Sequence, residues 1–167
     1  MSRDPALVEL LAKQAITEQI YRYCRAMDRI DNELGKTVWH ADGLADYGPI
    51  FKGTGHEFIE WVAISHSQTI GHSHQVSNIL IEVAGETAKS EAYVTAALRM
   101  RSEDAKTTQL TILGRYLDRW SCRDGRWAID VRRYVHDFDE VHEIARDSLP
   151  GWGTRDRSDP LYSLGGA

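Results

Sequence analysis

Cysteine is scarce: Cys24 and Cys122 are the only two in 167 residues. They show neither C-x-x-C spacing nor an even set of pairs, which argues against a disulfide framework or a zinc ribbon and leaves two reduced thiols. Long apolar runs are also missing. Nowhere do about eighteen apolar residues follow one another, so no membrane span is expected. The opening MSRDPALVELLAKQ is amphipathic and charged where a secretory leader would be continuously apolar, so a soluble, cytoplasmic protein is expected. No block of one charge sign occurs: the formal net charge is -5, with acidic and basic residues interleaved. That distribution speaks against a nucleic acid or an anionic membrane as partner. Internal repeats and low-complexity stretches are absent as well.

What is present fits a single domain with a substantial core, since 42% of residues are hydrophobic and 27% charged. Asp4 is placed to cap a helix whose first turn accepts Pro5. Apolar residues then recur at Leu7, Leu10, Leu11, Ile16, Ile20, Cys24 and Met27, which predicts one long helix to about Met27. A short helix is expected over Glu33 to Trp39, then a turn and a short strand around ADYGPIF, then a helix over GHEFIEWVAISHS. From His74 the texture changes. HQVSNILIEVAG, ETAKSEAYVTAALRMRS, TTQLTILGRYLDRWS and RWAIDVRRYVHDF read as four long strands of an antiparallel meander. Turns are expected at Gly85-Glu86, at Ser102 to Lys106 and at Asp124-Gly125. DEVHEIARDSL reads as a last helix ended by Pro150. Residues 1–149 are thus expected to form the domain, and 150–167 a tail that serves as a pocket lid or an interface segment. Helices first and a twisted sheet after them is an α+β order, with a cavity between the two layers.

The stretch GHSHQVSN sets His72 and His74 two apart at a strand start, where both point to one face. A metal is the weaker reading: the next carboxylate along the strand is Glu82, and no third ligand is visible. As a general base, a histidine needs a carboxylate to fix its tautomer and to stabilise its charged form. Asp28 is the candidate. It closes the apolar stripe of the first helix in YRYCRAMDRID, where an unpaired carboxylate would be costly to bury. Pairing with Arg25 or Arg29 is the structural alternative.

AITEQIYRYCRAMDRID, DYGPIFKGTGHEFIEW, SHQVSNILIEVAGETAKSEAYVTAALR and GRYLDRWSCRDGRWAIDVRRY together resemble the SnoaL-like branch of the nuclear transport factor two-like superfamily, over roughly Leu7 to Asp139. The resemblance implies a cone-shaped α+β barrel, with N-terminal helices packed on a curved, mainly antiparallel sheet enclosing a pocket. In the superfamily's hexachlorocyclohexane dehydrochlorinase, scytalone dehydratase and bile acid dehydratase, an Asp of the first helix and a His at a strand start form a dyad. Asp28 matches the first, and His74 matches the second better than His72 does. Tyr23 matches a polar residue five positions before the aspartate, and Arg132 an arginine of the last strand.

Two of these positions sit awkwardly on ideal elements. Tyr23 and Asp28 are about 140° apart on a helix, and alternation places Arg132 opposite Trp127, Ile129 and Val131 unless a bulge intervenes, with Arg133 as its rival. Tyr47, Asn78, Phe51, Phe58 and Trp61 are the expected substrate contacts. His40, His56, His66, His136 and His142 are assigned to ordinary surfaces. The resulting expectation is a cofactor-free, metal-free lyase, a dehydratase, dehydrohalogenase or formaldehyde-eliminating enzyme, acting on a hydrophobic aromatic or alicyclic small molecule. An isomerase, a polyketide-type cyclase and a non-catalytic binding module are the alternatives, since the fold alone dictates no reaction. An open sheet with an apolar outer face would favour a homo-oligomer, dimer or trimer.

Overall fold

The computed structural model describes residues 4–101, 106–145 and 151–164. Helix α1 (Pro5–Arg29) begins at Asp4, whose side chain accepts from the Ala6 N–H, and ends at Ile30, whose left-handed backbone closes the last turn. Its buried stripe contains Ala12, Ile16, Ile20, Tyr23, Cys24 and Met27. Ile16 and Ile20 are sealed from solvent, worth roughly 2–3 kcal/mol each. Helix α2 (Asn32–Thr37) is one turn and a half, and β1 (Trp39–Asp46) starts where the sequence suggested a helix end. After the turn at Gly48 comes β2 (Lys52–Thr54), then α3 (Gly55–Ser67). The α3 start is a reciprocal cap: Thr54 Oγ1 accepts from the Glu57 N–H, and the Glu57 carboxylate accepts from the Thr54 N–H. Gly55 is required there, because a Cβ would lie 2.1 Å from the Trp39 ring.

The strands β3 (Gly71–Ala84), β4 (Thr87–Arg101), β5 (Thr107–Arg123) and β6 (Arg126–Ile144) form the expected meander, joined by positive-φ turns at Gly85 and at Asp124-Gly125. The turn between β4 and β5 lies largely outside the described residues. The whole sheet has six strands in the order β2-β1-β6-β5-β4-β3, with β1 running parallel to β6. It is not closed, so the fold is a mixed α+β cone whose concave face is covered by helices rather than a sealed barrel.

The expected helix over DEVHEIARDSL is a correction. Asp139 to Ile144 continue β6, because the long β5 offers partners as far as Thr107 opposite Ile144; residues 146–150 lie outside the described residues. Backbone pairing with an existing strand wins over the helical spacing of a short segment. The outer face of the sheet is mixed rather than apolar: Tyr93 and Leu80 are exposed, but Arg115 is bound to Glu91 and Asp137 on the same face. No helix is long and apolar enough to cross a membrane, among the described residues.

Three irregularities in the ladders decide which residues face inward. On β3 the register shifts between Ser77 and Leu80, with Asn78 at φ 49, so the inward set passes from His74 and Val76 to Ile79, Ile81 and Val83. On β6 the register shifts at Asp130, opposite Arg119 and Trp120, which brings Ile129 and Arg132 both inside. A second shift on β6, at Asp137, puts Asp139 in phase with His136. Each extra residue inverts the alternation beyond it.

Candidate active site

A cavity of about 340 Å³ lies between the helices and the concave sheet. Its apolar wall includes Leu98, Leu110, Ile112, Phe58 and Trp61, and its polar groups include Tyr23, Tyr47, His66, His74 and His136. A larger surface concavity of about 820 Å³, around Asp42, Arg119, Arg123 and Asp130, contains none of the expected site residues.

His74 and Asp28 meet. Asp28 Oδ1 lies 2.7 Å from His74 Nδ1, and the His74 backbone N–H reaches both carboxylate oxygens, at 3.0 and 3.1 Å. The carboxylate is thus fixed by two donors of the residue it orients. Because it accepts, Nδ1 carries the hydrogen and Nε2 keeps its lone pair. His74 lines the cavity, Asp28 does not, and both side chains are largely buried. This resolves the helical angle: Tyr23 faces the cavity directly, while Asp28 faces β3 and reaches the cavity through His74. Neither Arg25 nor Arg29 takes Asp28; Arg29 lies instead beside Asp159, at 3.5 Å.

Tyr23 and Tyr47 share a 2.7 Å hydrogen bond between their hydroxyls, both at the cavity wall. Burial drives both phenols well above their usual pKa, and the nearby Arg132 only partly offsets it. Both are neutral near pH 7. In such a pair one hydroxyl hydrogen is used internally and the other remains to be donated to a ligand. Tyr47 is itself stacked on Phe58, with ring centroids 3.9 Å apart.

Arg132 is inside, as the bulge requires, yet it does not line the cavity. Its guanidinium is clamped by Asp118 through two 2.8 Å bonds and sandwiched between the rings of Tyr23 and Tyr116, at 4.2 and 4.0 Å. Burial alone would weaken its charge, but the Asp118 carboxylate outweighs that, so its pKa is driven up. Arg132 therefore acts on the site only through the tyrosines. Its rival Arg133 is exposed and lies near Asp46.

Of the other expected contacts, Phe58 and Trp61 line the cavity, while Phe51 sits behind them with centroids 5.4 and 5.5 Å away. Asn78 is a correction: its side chain is exposed, because the residue serves as the bulge on β3.

Two of the histidines assigned to surfaces, His40 and His66, need correcting. His40 is buried and bonded to the Ser121 carbonyl. His66 is buried, lines the cavity and stacks on His72 at 4.2 Å. Burial, then the neighbouring His72 and His74, lower the His66 pKa to about 3, so it is neutral. His72 approaches the Met27 carbonyl through Nε2 at 2.6 Å, while Arg155 of the tail donates toward its Nδ1 at 3.3 Å. Since an arginine only donates, Nδ1 accepts and Nε2 carries the hydrogen. His72 is thereby committed to structure, leaving His74 as the member of the H-x-H pair that lines the cavity. Among the described residues no group of three or more His, Cys, Asp or Glu is arranged to hold a metal ion.

Sequence reading also missed Asp118 and Tyr116. The signal was available: in GRYLDRWS, Asp118 falls on the alternation of Tyr116 and Trp120, a carboxylate in an apolar phase that predicts a buried cation.

The fold and the cavity place the chain among α+β proteins of the nuclear transport factor two-like type, helices over one concave sheet with a pocket between. Residues 8–133 match the SnoaL-like domain, and the chain belongs to that family. Similar solved structures include a hexachlorocyclohexane dehydrochlorinase from Novosphingobium barchaimii (16% identity, TM-score 0.72, covering 87% of this chain and 99% of that one). A candidate scytalone dehydratase from Novosphingobium aromaticivorans is another (22% identity, TM-score 0.69, 87% and 95%). At such identities the likeness is one of fold. A curated relative, a candidate tricorn protease homolog of Streptomyces coelicolor, is 32% identical over 103 residues, which span 59% of this chain and 8% of that protein.

Proposed function

We propose that the protein is a cofactor-free acid–base lyase of a hydrophobic, ring-containing small molecule. One observation carries this reading: a histidine held by a carboxylate at 2.7 Å lines a cavity whose wall is mostly aromatic and aliphatic. His74 Nε2 takes a proton from the substrate, and Asp28 stabilises the imidazolium that forms. The electron pair released by the substrate becomes a new double bond as the leaving group departs. If the leaving group is oxygen, the Tyr23–Tyr47 pair donates to it as its charge grows, and His74 returns the proton to form water. With a hydroxymethyl substrate the same base removes the hydroxyl proton, the C–C bond breaks to release formaldehyde, and the electron pair left on the substrate carbon forms a double bond as the adjacent leaving group departs with the proton returned by His74. Membership of a family whose structural neighbours include a dehydrochlorinase and a candidate dehydratase supports elimination as the reaction type.

The test is incubation with hydroxylated and halogenated ring compounds, two-ring propanoids among them, read by mass spectrometry. Wild type should release a defined fragment, and His74→Asn, which can still donate an amide N–H to Asp28, should be slower by about 10²–10⁴-fold. Products of unchanged mass would redirect the reading to an isomerase or cyclase; tight binding without turnover would redirect it to a binding module.

A further inference from the structure

A second His–Asp pair lies on the wall of the same cavity and has no part in the chemistry above. His136 Nε2 is 2.9 Å from Asp139 Oδ2, and both residues line the cavity. They do so only because β6 carries its extra residue at Asp137. The bulge is held outward: Asp137 accepts from the Arg115 guanidinium at 3.1–3.4 Å, and Arg115 also reaches Glu91 at 3.0 Å. Without the extra residue Phe138 would occupy the inward phase. Both members of the pair are about half-exposed, which puts them at the mouth.

The sheet wall of the cavity is therefore polar at His74 and at the His136–Asp139 pair and apolar between them. His74 is on β3 and His136 on β6, three strands away in the sheet order, or roughly 14 Å along the sheet at the usual strand spacing. Between them the wall consists of Val94, Ala96 and Leu98 of β4 and Leu110 and Ile112 of β5. A molecule that touches both ends needs an extended, flat apolar body.

We propose that His136, oriented by Asp139, is a recognition residue that accepts a hydrogen bond from a hydroxyl at the far end of a two-ring or fused-ring substrate, most simply a phenol. The inference rests on the reading of this cavity as the substrate site. The direction of the bond follows from the tautomer. Asp139 takes the Nε2 hydrogen, which leaves Nδ1 of the neutral ring as an acceptor. An acceptor rewards a ligand O–H and gains nothing from an ether. His136 so placed selects a substrate by its free hydroxyl while His74 acts at the other end.

The experiment is equilibrium binding of para-hydroxybiphenyl and para-methoxybiphenyl, followed by calorimetry, to wild type, His136→Ala and Asp139→Ala. Neither probe carries a group that can be eliminated, so the result is independent of turnover, and a failed lyase assay would leave it standing. Wild type should bind the phenol about 10-fold more tightly than the ether, the value of one net hydrogen bond. His136→Ala should bind both alike, and Asp139→Ala should lose part of the preference. Ether affinity and thermal stability should change little in either variant, because the pair is half-exposed. A preference that survives in His136→Ala, equal binding by wild type, or failure of wild type to bind either probe would each overturn the proposal.

Discussion

At the scale of single residues, the tautomer of His74 is the most exacting feature of the site. Asp28 as a carboxylate can only accept, so it holds hydrogen on Nδ1 and keeps Nε2 basic. Asp28→Asn keeps size and position but offers an amide that can donate to Nδ1, moving the hydrogen to Nε2 where a base is needed. Turnover should fall by about 10³–10⁴-fold with little change in substrate affinity, measured as kcat against KM on whichever substrate the wild type converts. Equal kcat in the variant would remove Asp28 from the mechanism. The partnership was legible in the sequence, since a carboxylate at the end of an apolar stripe demands a buried partner and H-x-H at a strand start offers one. The mouth pair was not. His136 looks like a polar residue of a strand end and Asp139 like the start of the expected last helix, and only a longer strand with a ladder irregularity makes them neighbours on the inner face.

The elements are where sequence and structure part most clearly. Hydrophobic periodicity located α1, α3 and the four long strands, because each has one buried face and one wet face. It did not locate β1 as a full strand or the end of β6, since WHADGLAD and DEVHEI have no alternating apolar pattern and are strands because neighbouring backbone is free to pair. Bulges are equally silent. The one on β3 leaves a local trace, an asparagine in left-handed conformation, which Asn and Gly adopt more readily than other residues. Asn78→Gly should leave stability unchanged within about 0.5 kcal/mol. Asn78→Val should cost about 1–2 kcal/mol, read from urea unfolding midpoints, since a β-branched side chain is strained at that φ. If valine is tolerated without loss, the bulge is not pinned by this residue, and the inward phase of Ile79, Ile81 and Val83 must be set by their packing alone.

For the molecule as a whole, the histidine cluster under the tail couples folding to pH. His66 packs against His72 and His74, with Arg155 of the tail donating to its carbonyl, and among the described residues nothing acidic is bonded to its ring. The folded protein does not protonate His66 until about pH 3, whereas the unfolded chain does so near 6.5. The His72 pKa is lowered too, by burial first, with its Met27 hydrogen bond opposing. Below about pH 6.5 the unfolded state therefore binds more protons than the folded one, and stability must decline as pH falls, down to about pH 3. Carboxylates with lowered pKa values, such as the half-buried Asp46 and the buried Asp159, join only below the ordinary carboxylate range near pH 4. The interval from about pH 6.5 to 4.5 thus isolates the histidines, and His66 alone contributes up to about 2–3 kcal/mol there, two pH units at 1.36 kcal/mol each. Thermal unfolding of wild type should show Tm falling through this interval, and His66→Gln should fall less steeply, the two slopes converging only below about pH 3, where folded His66 also takes its proton. Parallel curves would mean that the folded protein admits a proton to His66 by loosening the contact between α3, the start of β3 and the Arg155 segment, so that the tail opens before the domain does.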